Sequence, residues 1–181
     1  MLRKGQDDKF SSNYHGLAGS EHPLHPKTKR LGAAGADETL TVTLVVRRRP
    51  GGPTSKGPPD FQNAPQAAHA KLSRQEFEDT RGATQADLDD VGQFCRSHNL
   101  TLLEANRSRR SVLARGTVAQ MNAAFGVKLH HYESPIGKYH GYEGQIQLPA
   151  ALDGVVEAVI GLDNRPIPSR HLSVDPSNTL A

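Results

Sequence analysis

From Glu38 to Arg48 the chain alternates Leu40, Val42, Leu44 and Val46 with Thr39, Thr41, Thr43 and Val45, the period of a strand with one aliphatic and one threonine-lined face. Ser73 followed by Glu76 has the spacing of a capping box and predicts a short helix. Thr84 then caps a second helix, on which Leu88, Val91, Phe94 and Cys95 form a stripe suited to cover the aliphatic face of the strand. Leu100 to Ala105 and Ser111 to Arg115 read as a hairpin joined by an Arg- and Ser-rich turn. Thr117 caps a helix bearing Val118, Met121, Ala124 and Phe125, Gly126 ends it, and Lys128 to Glu133 makes a further strand. The order is β, α, β, β, α, β. It predicts an α+β domain of the ferredoxin-like kind, a four-stranded antiparallel sheet with helices on one face.

Beyond this unit, Pro135 and Gly137 turn the chain into the segment Lys138 to Gly144, which we expect to pair as a short hairpin with Gln145 to Leu148. Pro149 suits the first position of a helix. Leu152, Val155, Val156 and Val159 follow at i, i+3, i+4 and i+7, with Gly161 placed to end it. Residues 1–37 lack any sustained apolar period and read as a disordered leader, while glycines and prolines mark residues 50–70 as a flexible loop. The domain is therefore placed at 38–164. Residues 165–181, with Pro166, Pro168 and Pro176, read as an extended linker.

A formal charge of +3 and a pI near 9.1 invite a nucleic-acid reading, but the location of the charge changes that. Residues 38–164 hold 14 Lys plus Arg and 14 Asp plus Glu, so the excess lies in the tails. Arg47 to Arg49 and Arg107, Arg109 and Arg110 cluster at strand ends, where solvated turns are the ordinary explanation. The tyrosines Tyr132, Tyr139 and Tyr142 do not fall on the central strands, where an RNA-recognition sheet keeps its stacking aromatics. A ligand- or nucleic-acid-binding module of the same topology remains the alternative, and a stand-alone interaction module the third.

Nine histidines raise the question of metal. His130 and His131 are neighbours on a strand and point to opposite faces, no HExxH helix occurs, and the lone Cys95 belongs to a helix stripe as a buried thiol. No cofactor, metal or small-molecule ligand is expected. Asp87, Asp89 and Asp90 crowd a helix start, where the dipole favours them as a solvated group. No serine sits in a GxSxG elbow, and no phosphate-cradling glycine loop occurs. No apolar run reaches the roughly 20 residues a membrane span needs.

The AFGV of Ala124 to Val127, the Tyr139 to Gly144 stretch, Leu148-Pro149 and the run Glu157 to Asp163 closed by Arg165-Pro166 carry a resemblance. Together they resemble the activation domain of the kumamolisin-type sedolisins, acid-acting serine-carboxyl peptidases. The resemblance implies a prosegment with this kind of fold that inhibits its cognate catalytic domain, assists its folding and is released by acid-triggered cleavage. The SGTS-type catalytic segment is absent here, so the chain is expected to be no enzyme itself. Such precursors are exported, although the opening MLRKGQDDKF carries no signal-peptide h-region.

On that reading the partner is the cognate catalytic domain, with neither nucleic acid nor membrane expected. The docking candidates are Thr39, Thr41 and Thr43, with Leu103 and Leu113 on the same open face. The candidate cleft-threading tail includes Arg170, His171, Leu172, Leu180 and Ala181. Protonating all nine histidines would take the formal charge from +3 to +12, so His98, His130, His131 and His140 are candidate acid triggers.

Overall fold

The computed structural model describes residues 13–21, 23–24, 27–50 and 73–166. Among these the elements run β1 (Tyr14–Gly16), β2 (Lys29–Ala33), β3 (Thr39–Val46), α1 (Arg74–Arg81), α2 (Gln85–Ser97), β4 (Thr101–Asn106) and β5 (Ser111–Thr117). There follow α3 (Val118–Phe125), β6 (His130–Ser134), β7 (Gly137–Gly141), β8 (Gln147–Pro149), a 3-10 turn (Ala150–Leu152) and β9 (Val156–Ile160). The result is an α+β fold built on antiparallel sheets. The largest sheet has the order β4-β5-β3-β9; β2-β6-β7 form a second, and β1 pairs with β8.

The local signals explain the helices. Ser73 and Glu76 close a capping box on α1, the Thr84 hydroxyl accepts from the Asp87 N–H, and Thr117 with Gln120 closes a second box on α3. Gly126 ends α3 at φ 62°, a conformation a side chain would resist. Val42, Leu44 and Val46 on β3 and Val112 and Ala114 on β5 are fully buried beneath α2 and α3. Phe94 and Phe125 meet edge to face at 5.8 Å where the two helices converge. Each such buried aliphatic or aromatic side chain contributes about 1.5–3 kcal/mol relative to exposure. Cys95 lies fully inside this core, and burial pushes its thiol up to about 11, so it is a packed, inert group.

The structure corrects the sequence reading at four places. Pro149 to Gly161 is no helix: the chain makes one 3-10 turn, reverses at Gly154 (φ 64°) and enters β9, which lies beside β3 as the fourth strand of the main sheet. The strand expected there, at 128–133, is displaced to the second sheet as β6. The hairpin around the tyrosines pairs β7 with β6, Tyr132 opposite Tyr139, and leaves β8 to pair with β1.

Finally, part of the stretch read as a leader is ordered into β1 and β2. It is tied down by buried polar bonds: Ser20 Oγ donates to Leu17 O (2.7 Å) and accepts from Ile146 N–H (2.9 Å), while Tyr142 donates to Ser20 O (2.8 Å). Burying those groups is tolerable only because each is paired.

Candidate functional site: the open sheet face and the point of exit

Strand alternation sorts β3 into two faces. Even-numbered side chains enter the core, and Thr39, Thr41 and Thr43 stand on the other side, the first two exposed and the third half-buried. Thr43 lies opposite Leu113 on β5 and Ile160 on β9. On the far side of β5, Leu113 is opposite Glu104, and Leu103 is the extra residue of the irregularity beside it. A row Glu104, Leu113, Thr43, Ile160 therefore crosses all four strands on the face turned away from α2 and α3, with Leu103 beside Glu104 at the irregularity. Leu103 is 50% exposed and Ile160 59%. Large aliphatics left open on one face of a sheet whose other face is covered mark a surface suited to a partner.

Ile160 is the residue the sequence reading missed. Its segment fitted a helical stripe, and only pairing with β3 puts it beside Thr43. The signal was present in Asp153-Gly154, a turn dipeptide inside the supposed helix, followed by the β-branched run Val155, Val156, Val159, Ile160.

After β9 the last described residues are held by side-chain and main-chain bonds. Arg165 N–H donates to Asp163 Oδ1 (2.8 Å), its Nη2 to Asp163 Oδ2 (3.1 Å) and its Nη1 to Pro23 O (2.8 Å). The guanidinium also lies 5.2 Å from the centre of the Tyr139 ring, which itself stacks on Tyr132. Asn164 and His140 exchange two bonds, Asn164 N–H to His140 O (3.1 Å) and His140 N–H to Asn164 Oδ1 (2.8 Å). Residues 163–165 are thus tied both to β7 and to the N-terminal segment. The tail candidates Arg170, His171, Leu172, Leu180 and Ala181 lie outside the described residues.

The four histidine candidates are not brought together. His98 caps α2, with Nδ1 donating to Phe94 O (3.1 Å) and Nε2 beside the Tyr14 hydroxyl (3.2 Å). His131 Nε2 lies 3.0 Å from Glu38 Oε1; that bond and one from Gly35 N–H hold the Glu38 carboxyl below its usual range. His140 Nε2 faces Gly161 O at 3.4 Å. His130 is buried; its Nδ1 donates to Lys128 O (2.8 Å), which leaves Nε2 as the acceptor for the Arg30 guanidinium. Among the described residues no three His, Cys, Asp or Glu side chains are grouped to hold a metal.

The acidic helix start also divides. Asp87 is buried and accepts two bonds from Arg47, from Nη2 at 2.9 Å and from Nε at 3.2 Å, so it is a structural ion pair and no solvated cap. Asp89 is exposed and accepts from Gln85 at 2.9 Å.

With the geometry in hand, comparison with known proteins is specific. Residues 26–165 match the family model described as pro-kumamolisin, activation domain. The chain is 34% identical over 157 residues to kumamolisin of Bacillus sp. (strain MN-32), covering 86% of this chain and 28% of that protein. It is 29% identical over 164 residues to tripeptidyl-peptidase sed5 of Aspergillus fumigatus, covering 82% of this chain and 28% of that protein. The chain thus spans somewhat more than a quarter of either relative. Among the described residues no helix is long and apolar enough to cross a membrane.

Proposed function

The chain belongs to the pro-kumamolisin activation domain family, the prosegments of sedolisin-type peptidases, and from that premise we propose that it inhibits and helps to fold a catalytic domain of that type. The observation that carries the proposal is the open face of the main sheet. Thr39 and Thr41 lie beside a row in which half-buried Leu113, Thr43 and exposed Ile160 follow one another, and Leu103 at the adjoining edge is exposed as well. Docking buries that row and supplies the core that a sheet covered on one side lacks.

The clamp at Arg165 adds direction. Asp163, Tyr139 and the Pro23 carbonyl hold the chain at the point from which the following residues would run into the cleft as a substrate mimic. Release by cleavage in acid, and export of the precursor, belong to the same reading.

Mature kumamolisin, mixed with the chain at near-neutral pH, tests it. The expected result is loss of peptide hydrolysis with formation of a 1:1 complex on size exclusion, reversed by cleavage of the chain after acidification to about pH 4. A peptidase that runs alone at full activity in the presence of excess chain would contradict the proposal.

A further inference from the structure

Two arginine clusters that are some 60 residues apart in the chain meet at one end of the main sheet. Main-chain bonds stitch them together: Val46 N–H to Arg110 O (2.7 Å), Arg49 N–H to Gly82 O (2.9 Å) and Ala83 N–H to Arg107 O (2.9 Å). Arg47, Arg48, Arg49, Arg81, Arg107, Arg109 and Arg110 therefore form one pole among the described residues. Three of them face carboxylates within the fold. Arg47 holds Asp87 (2.9 Å), Arg110 holds Glu157 (3.0 Å), and Arg107 reaches Glu78 (3.6 Å) and Asp79 (3.5 Å). Arg48, Arg49, Arg81 and Arg109 have no carboxylate partner among the described residues. The Nε atoms of Arg49, Arg81 and Arg107 are buried with no acceptor, a cost the fold bears without return in the isolated domain.

The pole adjoins the open face. The last row of that face is Asn106, Ser111 and Val45, and the next residues along β4, β5 and β3 are Arg107, Arg110 and, one past Val46, Arg47. Resting on the reading given above, we infer that this arginine pole is the polar end of the docking surface and receives a carboxylate-rich patch of the peptidase catalytic domain. Guanidinium forks match carboxylates in pairs and keep their charge across the pH range in which proteins work. A phosphate backbone is the poorer fit. Asp87, Glu78, Asp79 and Glu157 are interleaved with the arginines and would repel it, and residues 38–164 carry equal numbers of acidic and basic groups. Apolar contact at the row and charge contact at the pole then fix how the sheet is turned on its partner, and the charges speed the encounter.

The test uses the full chain against mature kumamolisin at near-neutral pH, with the inhibition constant followed as salt is raised from about 20 mM to about 500 mM, a range over which exposed charges become screened. The wild type should weaken about tenfold or more across that range. Arg48→Gln with Arg109→Gln, and the four-fold variant adding Arg49→Gln and Arg81→Gln, should begin about tenfold weaker and respond little to salt. Thermal unfolding of both variants separates lost docking from lost folding, and the double variant touches no side chain with a buried orphan Nε. Inhibition by folded variants equal to wild type at low salt would overturn the inference and leave the prosegment reading standing. Absence of inhibition by the wild type at every salt would strike that reading and take the inference with it. Tight binding of a labelled oligonucleotide that the variants lose would also overturn it, by assigning the pole to a polyanion.

Discussion

At the scale of single residues, Asp87 is where acid acts most directly on the fold. Burial alone would push its carboxyl up, but the Arg47 guanidinium and the Thr84 hydrogen bond outweigh that and hold it below the ordinary carboxylate value. A depressed carboxyl stabilises the fold above the unfolded value, about 3.9 for Asp, and its contribution is lost as pH falls through the folded value. Asp87→Asn should therefore cost about 2 kcal/mol at neutral pH and reduce the further loss of stability in strong acid, as read by urea unfolding at a series of pH values. A variant with unchanged neutral stability would show that the pair contributes nothing net. Gly161 makes a second case. Its φ is 108°, and a Cβ there would sit 2.6 Å from Thr41 O, so Gly161→Ala should lower stability by roughly 1–3 kcal/mol. Features of this size were legible in sequence only where they are local. The caps Ser73, Thr84 and Thr117 and the stop at Gly126 involve neighbours within three or four residues, whereas Asp87 depends on Arg47, 40 positions away.

At the scale of elements, the same division holds. The alternation of β3 and the stripes of α2 and α3 are strong patterns and appear where they were read. β9 was read as a helix because Leu152, Val155, Val156 and Val159 satisfy a helical spacing; Asp153-Gly154 and the β-branched run spoke for a strand, and pairing with β3 decided between the two. β1 and β2 are only three and five residues long and show no apolar alternation, so nothing in their composition marks them; they exist because β8 and β6 offer edges. Removing residues 1–33 should then expose those edges, unpair Ile146 N–H from Ser20 and free the Arg165 clamp from Pro23. We expect the thermal midpoint to fall by at least about 10 °C, since each kcal/mol lost moves a domain of this size by several degrees. An unchanged midpoint would mean that this segment decorates the fold without supporting it.

At the scale of the whole molecule, the α+β architecture divides labour between two faces of one sheet. One face is sealed by α2 and α3; the other carries threonines with Leu113 and Ile160, with arginines at one end and the bonded residues 163–165 after β9. Family membership says what kind of precursor such a domain serves, and the proposal made above is that it docks through the open face. The most direct test of that claim is the inhibition constant of Leu113→Asp with Ile160→Asp against mature kumamolisin at near-neutral pH, set beside the wild-type chain. Ile160 is exposed and Leu113 half-buried, so thermal unfolding of the double variant is read beside inhibition to separate lost docking from lost folding. The account predicts inhibition weakened by about 100-fold or more, the loss expected when charges replace a buried apolar centre. Full inhibition by the folded double variant would contradict it.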